Sequence, residues 1–152
     1  MYKAYYHSPI GIVEMVSDEN SIIALSFVEE AIENNEQTVP KVLQTALEQI
    51  DEYFQGKRKV FNLELKAEGT EFQQKVWRSL VEVPYGETAC YGDIAKAVGN
   101  NKGSRAVGGA NNKNKIAIII PCHRIIGADG SLTGYAGGLW RKEWLLKHEK
   151  KS

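Results

Sequence analysis

The sequence predicts an α+β protein made of two units, a small mixed one followed by a mostly helical one. Three observations predict it. Short β-branched and aromatic segments open the chain, whereas apolar residues at helical spacing dominate after residue 69. The charge changes sign at the same place: residues 1–68 carry six Lys/Arg against twelve Asp/Glu, and residues 69–152 carry thirteen against seven. Finally, 152 residues that are 43% hydrophobic suffice for one domain, or two small ones, with a real core. The boundary is therefore expected after residue 68, with 1–68 a structural α+β domain and 69–152 a domain that carries the chemistry.

In the first unit, Tyr2 to His7, Gly11 to Ser17 and Ser21 to Val28 read as strands, and Ser17-Asp18-Glu19-Asn20 has the polar chemistry of a hairpin turn. Pro40 to Gln55 reads as an amphipathic helix: Val42, Leu43, Ala46, Leu47, Ile50, Tyr53 and Phe54 share one face, and Gly56 stands at the C-cap. Val60 to Leu65 suggests a further strand. Nothing in this unit reads as catalytic.

The second unit opens on Thr70-Glu71-Phe72-Gln73, a capping box before Val76, Trp77, Leu80 and Val81. Pro84-Tyr85-Gly86 ends that helix. Tyr91 to Val98 reads as a short helix and Gly99 to Gly103 as a turn. Ser104 then caps a helix from Arg105 to about Asn112. Helix, glycine-containing turn and short basic helix form the pattern of a DNA-binding helix-turn-helix, although any small helical hairpin shares it. The interval between Asp93 and Asp129 holds no acid but contains Lys96, Lys102, Arg105, Lys113, Lys115 and Arg124. That makes either a solvated basic face or a surface for a polyanion. Gly108 and Gly109 cost the helix about 1 kcal/mol each relative to alanine. Close backbone approach to another surface, or packing within the domain, would offset this.

The apolar run Ile116 to Ile120 reads as a buried strand leading to Pro121-Cys122-His123-Arg124. A cysteine there is either an inert small hydrophobe or a nucleophile. His123 and Arg124 supply positive charge that favours thiolate, and His123 is the base at hand. Asn114 can hydrogen-bond the segment that carries the cysteine. With only Cys90 and Cys122, the chain has neither a disulfide framework nor zinc-ligand spacing, so no metal is expected. No apolar run reaches the ~20 residues a membrane span needs, and Met1 to Tyr6 lacks a secretory h-region, so a cytoplasmic protein is expected.

Pro121-Cys122-His123-Arg124, with Arg105-Ala106-Val107-Gly108-Gly109-Ala110 before it and Tyr135-Ala136-Gly137-Gly138-Leu139 after it, resembles the O6-alkylguanine-DNA alkyltransferases, the methylated-DNA–protein-cysteine S-methyltransferases. Gly69 to Gln73, Val76-Trp77, Pro84 to Thr88 and Lys142 to Glu149 resemble the same family. The likeness is dense over residues 69–150 and holds in outline over the first 65. It implies an N-terminal ribonuclease-H-like unit and a helical, winged-helix-like catalytic alkyltransferase domain with a short C-terminal sheet. It also implies direct, irreversible, single-turnover repair: an alkyl group moves from O6 of guanine, or O4 of thymine, onto Cys122. The partner is then double-stranded DNA containing O6-alkylguanine, bound through the minor groove with its nucleotide flipped out. The protein is expected to be a monomer without cofactor.

The resemblance implies roles residue by residue. Cys122 accepts the alkyl group, His123 polarises a water that takes its proton, and Glu149 orients the histidine. Asn114 braces the active-site turn, and Lys142 stands near the thiol. Tyr91 helps rotate the nucleotide and lies near guanine N3, and Arg105 fills the space left in the stack. The implied DNA contacts are Tyr91, Arg105, Ala106, Gly108, Gly109 and Arg124. The implied guanine pocket is Cys122, Ile125, Tyr135, Ala136 and Gly137. Three positions depart from the family: Lys115 replaces a usual proline, Ile125 a commoner valine, and Asn111 an apolar residue found in some members. The small Gly137 and Ala117 imply room for alkyl groups larger than methyl. A non-transferring DNA-binding relative, a helix-turn-helix regulator and a cysteine hydrolase are the competing readings. The first two would bind without transfer and the third would turn over.

Overall fold

The computed structural model describes residues 1–32, 38–99 and 103–151. Its contacts divide the chain into two compact units, Met1–Ala67 and Glu68–Ser152.

In the first unit β1 (Tyr2–Ser8), β2 (Gly11–Ser17) and β3 (Ile22–Val28) form an antiparallel sheet in chain order. The turn between β2 and β3 closes on Asp18, whose Oδ1 accepts from the N–H groups of Asn20 (2.8 Å) and Ser21 (2.7 Å). Helix α1 (Lys41–Phe54) buries Leu43, Ala46, Ile50 and Tyr53, while the sheet buries Val13, Met15, Ile22 and Leu25. Tyr6 fastens β1 to α1: its hydroxyl donates to Asp51 Oδ1 at 2.8 Å, and its ring stacks on Phe54 at 5.6 Å. Burial and the Asp51 carboxylate push the Tyr6 phenol up to about 12. Gly56, at φ +75°, ends the helix with its N–H on the Tyr53 carbonyl.

The strand expected over Val60 to Leu65 is absent, and only a parallel bridge between Ile22 and Leu65 remains. The cause is register. With Leu65 opposite the first residue of β3, the residues before it lie opposite the turn that precedes β3, which offers no ladder of partners.

The second unit is helical with a two-stranded parallel sheet. It contains α2 (Glu71–Val81), β4 (Ala89–Cys90), α3 (Tyr91–Ala97), α4 (Gly103–Asn112), β5 (Ile125–Ile126) and α5 (Leu139–Lys151). The capping box forms as its residues require: Thr70 Oγ1 accepts from Gln73 N–H at 3.1 Å, and Gln73 Oε1 accepts from Thr70 N–H at 2.9 Å. A Cβ at Gly69 would come within 2.5 Å of the Trp77 ring, so only glycine fits before this helix. The Trp77 indole donates to the Ala110 carbonyl at 2.9 Å and ties α2 to α4, against which α3 also packs. β4 pairs with β5, Ala89 opposite Ile125 and Cys90 opposite Ile126. No helix among the described residues is long and apolar enough to cross a membrane.

Three local readings change. Ile116 to Ile120 is not a strand but a coiled turn that buries four isoleucines. Ser104 is not a cap, because α4 already starts at Gly103. Of the turn read over Gly99 to Gly103, residues 100–102 lie outside the described residues.

Candidate active site

Asn114 shapes the segment that carries the thiol. Its Oδ1 accepts from Ile116 N–H at 3.0 Å, and its Nδ2 donates to the carbonyls of Ile120 (2.9 Å) and Ile116 (3.4 Å). One amide thus coils the apolar run, and Ile118 takes a φ of 68° inside it. For a β-branched residue that conformation costs on the order of 1–3 kcal/mol. The run ends at Pro121, and Cys122–Arg124 forms one turn of 3₁₀ helix.

Cys122 is 7% exposed and His123 is fully buried. Burial pushes the Cys122 thiol up, while the Asn114 amide and the Lys142 ammonium pull the other way. Lys142 is itself buried: its ammonium donates to the Thr133 carbonyl at 2.7 Å, and burial lowers it to about 8, against the attraction of a Cys122 thiolate.

His123 is held at one nitrogen, with Nε2 2.6 Å from Glu149 Oε2. Burial lowers its pKa, and Glu149 only partly opposes this, so the resting imidazole is neutral at pH 7. Since the carboxylate can only accept, Nε2 carries the proton and Nδ1 keeps its lone pair. Glu149 is buried, which pushes it up, yet His123 and Arg124 outweigh burial and hold it well below the carboxylate range. Arg124 donates to it twice, Nε to Oε1 at 2.8 Å and Nη2 to Oε2 at 3.1 Å, and its Nη1 donates to the Val83 carbonyl at 2.8 Å. Gly86 N–H adds a longer contact to Oε1 at 3.3 Å. The Pro84-Tyr85-Gly86 break therefore also supports the carboxylate.

Among the described residues, three buried polar atoms around the cysteine lack a hydrogen-bond partner: His123 Nδ1, Asn111 Oδ1 and the Tyr135 hydroxyl. Tyr135 lies close enough to Cys122 for a thiolate to raise its phenol, after the larger effect of burial. Asn111 Nδ2 reaches the Cys122 carbonyl at 3.5 Å, and the Ile125 N–H occupies the same oxygen.

The structure brings Cys122, His123, Glu149, Asn114, Lys142 and Tyr135 into one cluster. Ile125 is buried in β5, Gly137 is half-buried with its carbonyl taken by Arg141 at 2.8 Å, and Ala136 is exposed. Arg105 is exposed on α4 and Ala106 half-buried beside it. A Cβ at Gly108 would touch the Tyr91 ring at 3.6 Å, whereas Gly109 faces open space. A Cβ would thus be accommodated at both positions, so packing inside the unit requires neither glycine. Arg124 stands apart from that group. Grouped by sequence with the DNA contacts, it is only 6% exposed, and both faces of its guanidinium edge are taken up by Glu149 and Val83. A buried carboxylate needs such a counter-charge more than a surface needs one more cation.

The family model described as 6-O-methylguanine DNA methyltransferase, DNA binding domain, matches residues 71–151, and that for its ribonuclease-like domain matches residues 1–67. A methylated-DNA–protein-cysteine methyltransferase of Methanosarcina acetivorans is 51% identical, with 98% of each chain covered. The chain belongs to the methylated-DNA–protein-cysteine methyltransferase family. Another member of this methyltransferase family, from Mycolicibacterium paratuberculosis, is 44% identical over 95% of the chain and 89% of its own length. The crystal structure of the Mycobacterium tuberculosis O6-methylguanine methyltransferase superposes with a TM-score of 0.87 at 43% identity, covering 99% of this chain and 93% of that one. The same organism's OGT in complex with DNA gives 0.89 at 43% identity, with 99% and 94% covered. In the present methyltransferase, one participant was unmarked in the sequence. Thr133, an isolated loop threonine, holds both Lys142 and, through its hydroxyl at 2.7 Å, the Tyr91 phenol.

Proposed function

We propose that the protein repairs double-stranded DNA by moving an alkyl group from O6 of guanine onto Cys122, once per molecule. The observation that carries the reading is the His123–Glu149 pair beside a buried thiol. Glu149 fixes Nε2–H, and the lone pair on Nδ1 is left to accept a proton. The thiol is protonated at rest because burial raises it, so a neutral base is what the reaction needs. A water relays the thiol proton to His123. The sulfur then attacks the alkyl carbon, a C–S bond forms and the C–O6 bond breaks. The guanine leaves with the electron pair and takes up a proton, and the product is a thioether that no thiol exchange reverses. The thiolate is favoured during attack by Asn114 and Lys142.

The target carbon is inaccessible inside a duplex, so the nucleotide must be flipped out. The exposed Arg105 suits filling the vacated stack, and the small Ala106, Gly108 and Gly109 suit close approach to the minor groove, with Tyr91 at the turned-out nucleotide. Tyr135, Ala136, Gly137, Ile125 and Cys122 form the base pocket in this reading. The chemistry calls for no cofactor, and the protein acts as a cytoplasmic monomer.

The test follows intact protein mass after mixing with a duplex oligonucleotide containing O6-methylguanine. The expected result is a one-to-one methyl gain on Cys122, absent in Cys122→Ser, and a benzylated duplex should add a benzyl group above background. Multiple turnover, binding without mass change, or labelling of Cys90 would sink the assignment. A second measurement concerns Arg124. Arg124→Met is expected to cost about 3–5 kcal/mol in urea unfolding, the usual loss for half of a buried ion pair. It should leave unchanged the slope of log affinity against log salt, because a buried cation releases no counterion from DNA. A slope lower by about one phosphate contact would return Arg124 to the DNA surface.

A further inference from the structure

The β5–α5 loop meets the site at one residue with two separate polar groups. The Thr133 hydroxyl lies 2.7 Å from the Tyr91 hydroxyl, and the Thr133 carbonyl accepts the buried Lys142 ammonium, also at 2.7 Å. Tyr91 starts α3 and Lys142 lies in the first turn of α5, so Thr133 joins two elements that are distant along the chain. Two residues further on, Tyr135 lies near enough to Cys122 to feel its charge.

In a hydroxyl–hydroxyl pair the direction of donation decides what each partner can still do. If the phenol donates to Thr133, its only proton is spent. If Thr133 donates to the phenol oxygen, the phenol proton stays free for a third group, and accepting a bond polarises that O–H into a better donor. Among the described residues the Thr133 hydroxyl makes no other hydrogen bond, and Tyr91 is only half-buried, so the phenol proton can reach a ligand.

We propose that Thr133 is a positioning residue: its hydroxyl donates to Tyr91 and thereby aims the phenol O–H at the flipped nucleotide. The inference rests on the reading of Tyr91 as a nucleotide contact. The backbone carbonyl of the same residue fixes where this hydroxyl sits by anchoring to Lys142. A threonine suits the task because branching at Cβ restricts χ1.

The experiment measures single-turnover transfer from an O6-methylguanine duplex by wild type, Thr133→Val, Thr133→Ser, Tyr91→Phe and the Thr133→Val/Tyr91→Phe double variant. Valine keeps the shape and the carbonyl that Lys142 uses, and removes only the hydroxyl. Thr133→Val is expected to slow transfer about tenfold, the worth of one oriented hydrogen bond. Thr133→Ser should stay within about twofold of wild type. The double variant should be no slower than Tyr91→Phe alone, because both changes remove one interaction. Thermal midpoints measured alongside separate a loss of fold from a loss of aim, and Tyr91→Phe breaks the same bond from its other end should Thr133→Val not fold. Thr133→Val at the wild-type rate, failure of serine to rescue, or independent losses in the double variant would each overturn the inference while Tyr91→Phe remains slow. Tyr91→Phe at the wild-type rate would instead overturn the reading of Tyr91 itself.

Discussion

Glu149→Gln is expected to lower both stability and transfer rate more than any other single change outside Cys122. The carboxylate receives His123 at 2.6 Å and Arg124 at 2.8 and 3.1 Å, all in the interior. An amide of the same size leaves the Arg124 charge buried without a counter-charge, which costs about 3–5 kcal/mol. It can also turn its NH₂ toward Nε2, which forces the His123 proton onto Nδ1 and removes the base. A loss of about 10²–10⁴ in rate follows from the wrong tautomer. The pH dependence has a definite sign. The folded carboxyl lies below its ordinary value of 4.5, so its contribution is complete above that value and is lost as pH falls through the lower folded pKa. Urea unfolding of wild type and Glu149→Gln should therefore differ most near neutrality and converge in acid. A constant gap down to the lowest accessible pH would mean that packing, not charge, sets the difference.

Lys142→Met is the second large effect, and it too is read through pH. Burial lowers the folded amine from 10.5 to about 8, so between those values the unfolded chain binds the proton and the folded protein does not. The stability of wild type relative to Lys142→Met should therefore rise across that window. Transfer should respond in the opposite sense. The ammonium favours the thiolate, so the wild-type rate should fall as pH passes about 8, and Lys142→Met should be about 10–100-fold slower at pH 7 and flat through that range. A difference between wild type and Lys142→Met that stays flat from pH 8 to 10.5 would show that the amine is not desolvated.

How legible the site was depended on whether a residue acts through its neighbours in sequence or through distant ones. Thr70 and Gln73 cap α2 locally, and they could be read directly. Asn114 braces a segment only two to six residues away, and its type announced as much. Ile116 to Ile120 could not be resolved, because an unbroken apolar run states only that it is buried; a strand and a tightly coiled turn satisfy that equally. α5 escaped notice since two of its buried positions are Lys142 and Glu149, which interrupt the apolar pattern a helix is recognised by. The buried ion pair of Arg124 was hidden for the same reason. Its partner lies 25 residues away, and a basic residue in an acid-free stretch reads as surface until that carboxylate is found. Thr133 carried no signal at all, being defined wholly by Tyr91 and Lys142.

The φ of 68° at Ile118 gives the spent protein a different mechanical character from the fresh one. The strained turn is held shut by the Asn114 amide, and the same amide favours the Cys122 thiolate. An alkyl group on that sulfur adds bulk where only 7% of the residue is exposed, and it turns a thiolate acceptor into a weak thioether. The latch and the reacting atom are therefore one device. Completing the reaction is expected to ease the catch on a wound spring, and alkylated protein should then unfold at lower urea than unreacted protein, leaving the record of a single act in the tension of its backbone.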